Sequence, residues 1–133
     1  MDTVRMGIIG VGNMGSSHAK NIYDNQVPGM VLAAIADINP ERLQWARETF
    51  PGVALFDNAS DMMDSGLIDA IIVATPHYFH PPLCLEGMKK GLHVMCEKPA
   101  GVYTKAVREV NEMAQKVNTT YAIMFNQRTN CVY

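Results

Sequence analysis

The chain has 133 residues and a formal net charge of −2, with 48% hydrophobic and 18% charged residues. This length and composition are typical of one globular domain. The slightly acidic charge, without a cluster of Lys and Arg, argues against nucleic acid or an anionic membrane as a partner.

The cysteines and the apolar segments limit the class of protein further. No segment approaches the ~18 apolar residues that span a bilayer. The chain has three cysteines (Cys84, Cys96 and Cys131), an odd number, and they are widely spaced without a C-x-x-C pair. This argues against a disulfide framework and against a cysteine zinc site. We therefore expect a cytoplasmic protein with free thiols.

Six short apolar segments predict β-strands, several of them apolar at every position, as in parallel strands covered on both faces. In chain order the predicted strands are Val4–Ile9, Val31–Ala36, Val53–Leu55, Ala70–Ala74, His93–Cys96 and Thr120–Phe125.

Helix signals lie between these strands. Cap and stop residues predict a helix over Glu41–Thr49 with Asn39 as cap and Pro40 at its start, a helix over Ala59–Ser65 between Asn58 and Gly66, a helix from Pro81 and Pro82 to Lys90 before Gly91, and a helix over Lys105–Val117 capped by Thr104. The alternation predicts a doubly wound α/β fold, with about six parallel strands in the order 3-2-1-4-5-6, over residues 1–126.

A glycine-rich loop follows the first predicted strand. Gly10, Gly12 and Gly15 form G-x-G-x-x-G, the pattern that lets a backbone turn tightly, approach a pyrophosphate and pack a helix on a strand. Because strand, loop and helix are in register, we predict a dinucleotide site rather than a plain turn. The predicted contacts in this loop are Gly10, Gly12, Asn13, Met14 and Gly15.

An acidic residue completes the fingerprint. Asp37 ends the second predicted strand, about 20 residues after the loop, where a carboxylate accepts hydrogen bonds from ribose hydroxyls. Such a carboxylate repels a 2′-phosphate, so the sequence favours NAD over NADP. Arg42 leaves NADP open, because its guanidinium can pair with that phosphate; we favour a solvated helix residue instead.

Two further segments, ATPHYFHPP and CEKPAG, follow the fourth and fifth predicted strands. Both are expected at the carboxyl edge of the sheet, where open α/β folds bind ligands. Together with GIIGVGNMG, AIADINPER, DAIIVATPHYFH and GLHVMCEKPAG, they resemble the glucose–fructose oxidoreductase/inositol dehydrogenase (Gfo/Idh/MocA) family over essentially the whole chain.

The resemblance implies roles for single residues of these segments. Cofactor contacts are implied for Ala74, Thr75, Pro76, His77, His80, Glu97, Lys98 and Pro99. His80 would start a helix beneath the cofactor, Glu97 would contact the nicotinamide-side ribose, and a cis Lys98–Pro99 bond is one way to direct the loop. The family often has Asn where this chain has His77.

Lys98 is the predicted catalytic residue, as the family implies and as its chemistry allows. An ammonium near a secondary alcohol stabilises developing alkoxide charge or relays the proton. The alternative is an ordinary surface lysine. His77 and His80 lack further ligands nearby, so no metal site is predicted. We expect His18 to be a packed or capping side chain and His93 to be a satisfied histidine in the core or at an edge.

The resemblance also implies a second, substrate-binding α+β domain, absent here, with residues 127–133 starting the connection to it. We expect the intact protein to be an NAD-dependent dehydrogenase of a polyol, sugar or related small molecule, and the present chain to bind cofactor without turnover. A cofactor-sensing module and an NADP-dependent reductase of another Rossmann family remain alternatives. Homo-oligomerisation is left open.

Overall fold

The computed structural model describes residues 3–132, which form alternating strands and helices. The strands are β1 Val4–Ile9, β2 Met30–Ala36, β3 Ala54–Phe56, β4 Ala70–Val73, β5 His93–Glu97 and β6 Tyr121–Met124. The helices are α1 Asn13–Tyr23, α2 Pro40–Thr49, α3 Ala59–Asp64, α4 His80–Lys89 and α5 Thr104–Ala114, with short 3-10 turns at His77–Phe79 and Asn126–Thr129. The predicted domain limits at residues 1–2 and 133 lie outside the described residues.

The six strands form one parallel sheet in the order β3-β2-β1-β4-β5-β6. This confirms the predicted doubly wound order. The order reverses between β1 and β4, so the loops after these two strands diverge and leave a crevice at the carboxyl edge of the sheet.

Local capping confirms most of the predicted helix boundaries. The Asn39 side chain accepts from the Glu41 N–H at 2.9 Å, and the Asn58 side chain accepts from the Ser60 N–H at 2.8 Å. The predicted Thr104 cap is wrong: extended Tyr103 precedes the helix without a side-chain bond, and Thr104 is already its first residue. That helix also ends at Ala114, three residues before the predicted end at Val117. The backbone after it forms a tighter turn, in which the Lys116 N–H donates to the Met113 carbonyl oxygen.

Two apolar cores cover the two faces of the sheet. Helices α1 and α2 pack on one face around Ile8, Ile35 and Phe50. Helices α3, α4 and α5 pack on the other around Ile71, Met88 and Val110. Cys84 and Cys96 are buried free thiols of this second core, and Cys131 is an exposed one. No helix of residues 3–132 has the length and apolar character needed to cross a membrane.

We expect Phe50→Ala to lower the free energy of unfolding by about 3–5 kcal/mol. Phe50 is 2% exposed, and its ring packs 5.1 Å from Tyr23 and 5.4 Å from Trp45. Urea denaturation measures the loss, with the more exposed Leu67→Ala as control, for which we expect less than about 1 kcal/mol. Equal losses would contradict this account of the core.

Candidate cofactor site

The glycine loop joins the end of β1 to the start of α1, and its geometry explains two of the glycines. Gly10 has φ +85°, and a Cβ there would lie 2.9 Å from the Ala74 carbonyl oxygen. A Cβ on Gly15 would lie 1.8 Å from the Gly10 carbonyl oxygen. Both positions therefore exclude a side chain, and α1 lies directly against the strand that precedes it.

Gly12 differs from the other two glycines because its side is open. A Cβ on Gly12 would meet nothing within 4 Å, and its φ of −69° is accessible to any residue. Gly12 is also the N-cap of α1, and no side chain caps that helix. The first-turn N–H groups, with the positive end of the helix dipole, are therefore available to an anion.

Asp37 holds the loop from the end of β2. Its Oδ2 accepts the Val11 N–H at 2.8 Å and its Oδ1 accepts the Asn39 N–H at 2.9 Å. A carboxylate has about four acceptor positions, so each oxygen can accept a further hydrogen bond. Asp37 thus shapes the loop and still offers lone pairs to a ligand.

Arg42 is not the solvated helix residue that the sequence suggested. Its Nε donates to the Val11 carbonyl oxygen at 2.7 Å, its Nη2 donates to the same oxygen and to Ser16 Oγ, and its guanidinium stacks 4.3 Å above the Trp45 ring. The sequence spacing gave no sign of this contact, because α2 must first fold back beside the loop. The Nε and Nη2 groups of Arg42 therefore stabilise the glycine loop.

A cavity of about 560 Å³ opens at the carboxyl edge between β1, β2 and β4. Of the predicted cofactor residues, it is lined by Gly10, Gly12, Asp37, Arg42, Ala74, Thr75 and Pro76. It is also lined by residues that the sequence did not single out, among them Ile38, Asp57, Phe79, Leu83 and Glu86. Ile38, which follows directly after the acidic residue, is apolar and 87% exposed.

Thr75 gives an independent indication that this cavity takes a polar ligand. Its Oγ1 is buried and has no hydrogen-bond partner among residues 3–132, although a buried hydroxyl normally has one. The residue lines the same cavity as Asp37, on the loop after β4.

The loop after β5 does not line this cavity, and a hydrogen bond to Glu97 holds its backbone. Glu97 is 5% exposed; its Oε1 lies 2.6 Å from Nε2 of His18 in α1, and its Oε2 accepts the Lys98 N–H at 3.2 Å. The Lys98–Pro99 bond is cis, the arrangement that the family resemblance left open. The Lys98 side chain is exposed, and its ammonium has no hydrogen bond or ion pair with any other described residue.

The two predicted histidine contacts differ in exposure. His77 is exposed in the 3-10 turn after β4, whereas His80 is 0% exposed at the start of α4 and does not line the cavity. His80 was predicted to contact the cofactor, and complete burial excludes direct contact in this conformation. Within residues 3–132, no three His, Cys, Asp or Glu side chains are grouped as a metal site would require.

A doubly wound sheet, an uncapped glycine turn at its switch point and an acidic residue after β2 define a dinucleotide-binding domain. The family model "Oxidoreductase family, NAD-binding Rossmann fold" matches residues 4–125. The chain therefore belongs to the Gfo/Idh/MocA oxidoreductase family, whose N-terminal domain binds NAD.

Individual relatives are similar over most of this chain. An inositol 2-dehydrogenase of Rubrobacter xylanophilus is 35% identical over 84% of this chain and 31% of its own length. The rhizopine catabolism protein MocA of Rhizobium meliloti is 30% identical over 96% of this chain and 39% of its own length. The chain thus spans about a third of the length of these relatives.

Solved structures share the fold. Scyllo-inositol dehydrogenase from Lactobacillus casei, with bound NAD(H) and scyllo-inositol, superposes with a TM-score of 0.92 at 29% identity, covering 98% of this chain and 38% of that one. Myo-inositol 2-dehydrogenase from Lactobacillus plantarum gives a TM-score of 0.91 at 32% identity, with the same coverage.

Gly12 and Gly15 differ in their surroundings, so substitutions at these two positions distinguish an effect on NAD binding from an effect on packing. We expect Gly12→Ala to weaken NAD binding at least about tenfold, because the new methyl enters space that a pyrophosphate needs, while stability changes by less than about 1 kcal/mol. We expect Gly15→Ala to lower the free energy of unfolding by about 1–3 kcal/mol, because the methyl meets backbone. Calorimetric titration and urea denaturation of both variants measure these effects. A Gly12→Ala protein with wild-type affinity would contradict the placement.

Proposed function

We propose that this domain holds NAD along the carboxyl edge of its sheet, within a protein that transfers hydride between NAD and a polyol, sugar or related hydroxylated compound. The observation that carries the proposal is the open side of Gly12 at an uncapped helix start, with the Asp37 carboxylate on the same cavity. The pyrophosphate fits the loop from Gly10 to Gly15, including Asn13 and Met14, and the adenosine ribose fits beside Asp37.

The nicotinamide end is then directed toward the loops after β4 and β5. These loops contain Thr75, Pro76 and His77 on one side and Glu97 and Lys98 on the other, at neighbouring strands of the sheet. The unpartnered Thr75 hydroxyl supports this direction. NAD supplies the hydride acceptor for oxidation of an alcohol carbon.

Lys98 is proposed to act on the oxygen of that alcohol. Its ammonium is exposed and unpaired within residues 3–132, while its backbone is held by Glu97. A held backbone with a free cationic end suits a group that must reach a bound substrate and stabilise negative charge on oxygen. The hydrogen bond of its N–H to Glu97 supports this role over that of an ordinary surface lysine.

The preference for NAD over NADP is proposed from Asp37 and Arg42 together. Asp37 presents negative charge where the ribose 2′-position is expected, and Arg42 is bonded to the Val11 carbonyl and to Ser16. A 2′-phosphate would therefore meet the Asp37 carboxylate, while the Nε and Nη2 of Arg42 are already bonded to the loop.

The substrate site is proposed to lie outside this chain. The relatives are about three times as long, and the matched region ends at residue 125, so residues 127–133 would begin the connection to a substrate domain. The relatives named above include inositol dehydrogenases, which supports a cyclic polyol or similar compound as the substrate class of the whole protein.

We expect isothermal titration calorimetry to show NAD binding at least about tenfold tighter than NADP binding, because one unfavourable charge pair costs roughly 1.4 kcal/mol. Asp37→Ala should weaken NAD binding and narrow the difference between the two cofactors. Asp24→Ala is the matched control, since Asp24 is an exposed acid away from the cavity. Equal affinity of the wild-type chain for NAD and NADP would refute the preference.

We expect the 133-residue chain to bind NAD but to produce no NADH from inositol or other polyols. The physical reason is that the groups which hold the substrate and take its proton are proposed to lie in the remaining two thirds of the relatives' length. Absorbance of NADH in the presence of each polyol measures turnover, and Lys98→Met is the background control. Lys98-dependent NADH formation would show that this chain contains a substrate site.

A further inference from the structure

His80 is a polar side chain, fully buried, that bridges two loops. Its Nδ1 lies 2.7 Å from the Pro99 carbonyl oxygen and its Nε2 lies 2.8 Å from the Thr75 carbonyl oxygen. The ring is 0% exposed, so no solvent water reaches either nitrogen. The same side chain therefore touches the loop after β4 and the loop after β5.

The two partners determine the protonation of the ring. A carbonyl oxygen only accepts hydrogen bonds, so each ring nitrogen must carry a hydrogen to make its bond. A neutral imidazole has one N–H, and its other nitrogen would place a lone pair against a carbonyl oxygen in a site without water. Such a buried, unsatisfied contact is costly. Only the doubly protonated ring satisfies both contacts.

We propose that His80 is a positioning residue that, as a buried imidazolium, ties the Thr75 carbonyl to the Pro99 carbonyl and so sets the distance between the two loops that face the nicotinamide. The residue acts through these loops and does not itself touch the cofactor. The inference rests on the proposed function for its effect on NAD; the charge and the bridge do not depend on it.

The surroundings of the ring favour the charged form. The titratable groups that face it are Cys96 from β5, with Cys84 of α4 behind that thiol, and His77 from the preceding turn, at 5.7 Å between ring centroids. Burial alone would lower the pKa of His80, but the interaction with Cys96 and the hydrogen bonds to the Pro99 and Thr75 carbonyls outweigh it and raise the pKa to about 9. The neighbouring Cys84 thiol and the His80 ring lower the pKa of Cys96 to about 6, against the effects of burial and of Glu97.

This charge makes the stability of the fold depend on pH. The pKa of His80 rises from 6.5 to about 9 on folding, so the folded state binds the proton more tightly. The contribution of His80 is complete below about pH 6.5 and is lost as pH rises through about 9, while the lowered pKa of Cys96 contributes in the opposite direction over the same interval. The two loops should loosen over the same interval, and cofactor affinity should fall with them.

Nuclear magnetic resonance of the isotope-labelled wild-type chain tests the charge directly. Four histidines are present, and single replacements of His18, His77 and His93 by Gln assign their signals. We expect the remaining ring, His80, to carry a proton on both nitrogens at neutral pH and to lose one near pH 9. A ring with a single N–H at neutral pH would overturn the proposal, whether or not NAD binds.

Calorimetry tests the positioning role. His80→Gln offers donors from one nitrogen only, so we expect it to weaken NAD binding about tenfold and to remove the loss of wild-type affinity between pH 7 and about 9. His93→Gln is the matched control, since His93 is exposed at the opposite edge of the sheet. If His80→Gln does not fold, the affinity of the wild-type chain across the same pH interval replaces it.

The outcomes separate the two proposals. A wild-type chain that binds no NAD contradicts the proposed function, while the protonation of the ring still tests His80. Normal NAD affinity in folded His80→Gln, or a wild-type affinity that does not fall toward pH 9, would overturn the positioning role.

Discussion

The contact on which the site depends is the approach of α1 to the end of β1, where Gly15 packs against the Gly10 carbonyl with no room for a Cβ. This contact places the first turn of α1 at the carboxyl edge of the sheet, next to the cavity that Gly10 and Gly12 line. The backbone of Val11 is then held from both sides, with its N–H on Asp37 and its carbonyl on Arg42 and Ser16. A loop fixed before the ligand arrives loses less conformational entropy on binding.

The same helix also reaches the other half of the site. His18, one turn further along α1, meets Glu97, and Glu97 holds the backbone of Lys98. A buried carboxylate is stable only when it is hydrogen-bonded, so this pairing explains why Glu97 can lie at the end of a core strand. One rigid element thus connects the glycine turn with the loop that contains the predicted catalytic lysine.

Features that depend on residues close together in the sequence could be predicted. Features that depend on contacts between residues distant in the sequence could not. The strand order followed from short right-handed connections, and the Asn39 and Asn58 caps followed from local hydrogen bonding. Arg42 contacts the glycine loop, and His80 bridges two loops, through residues that only the tertiary fold brings together. His80 is also fully buried and does not line the cavity. Ile38 and Leu83 were not predicted, because apolar residues that line a cavity follow no sequence motif.

Trp45 gives this arrangement a further property. It is the single tryptophan of the chain, and its ring lies 4.3 Å from the guanidinium that is bonded to the Val11 carbonyl. Any movement of the glycine turn that shifts this guanidinium changes the electrostatic surroundings of the indole. The intrinsic fluorescence of the protein therefore contains a reporter for the state of that turn, which needs no label and is not obscured by a second indole.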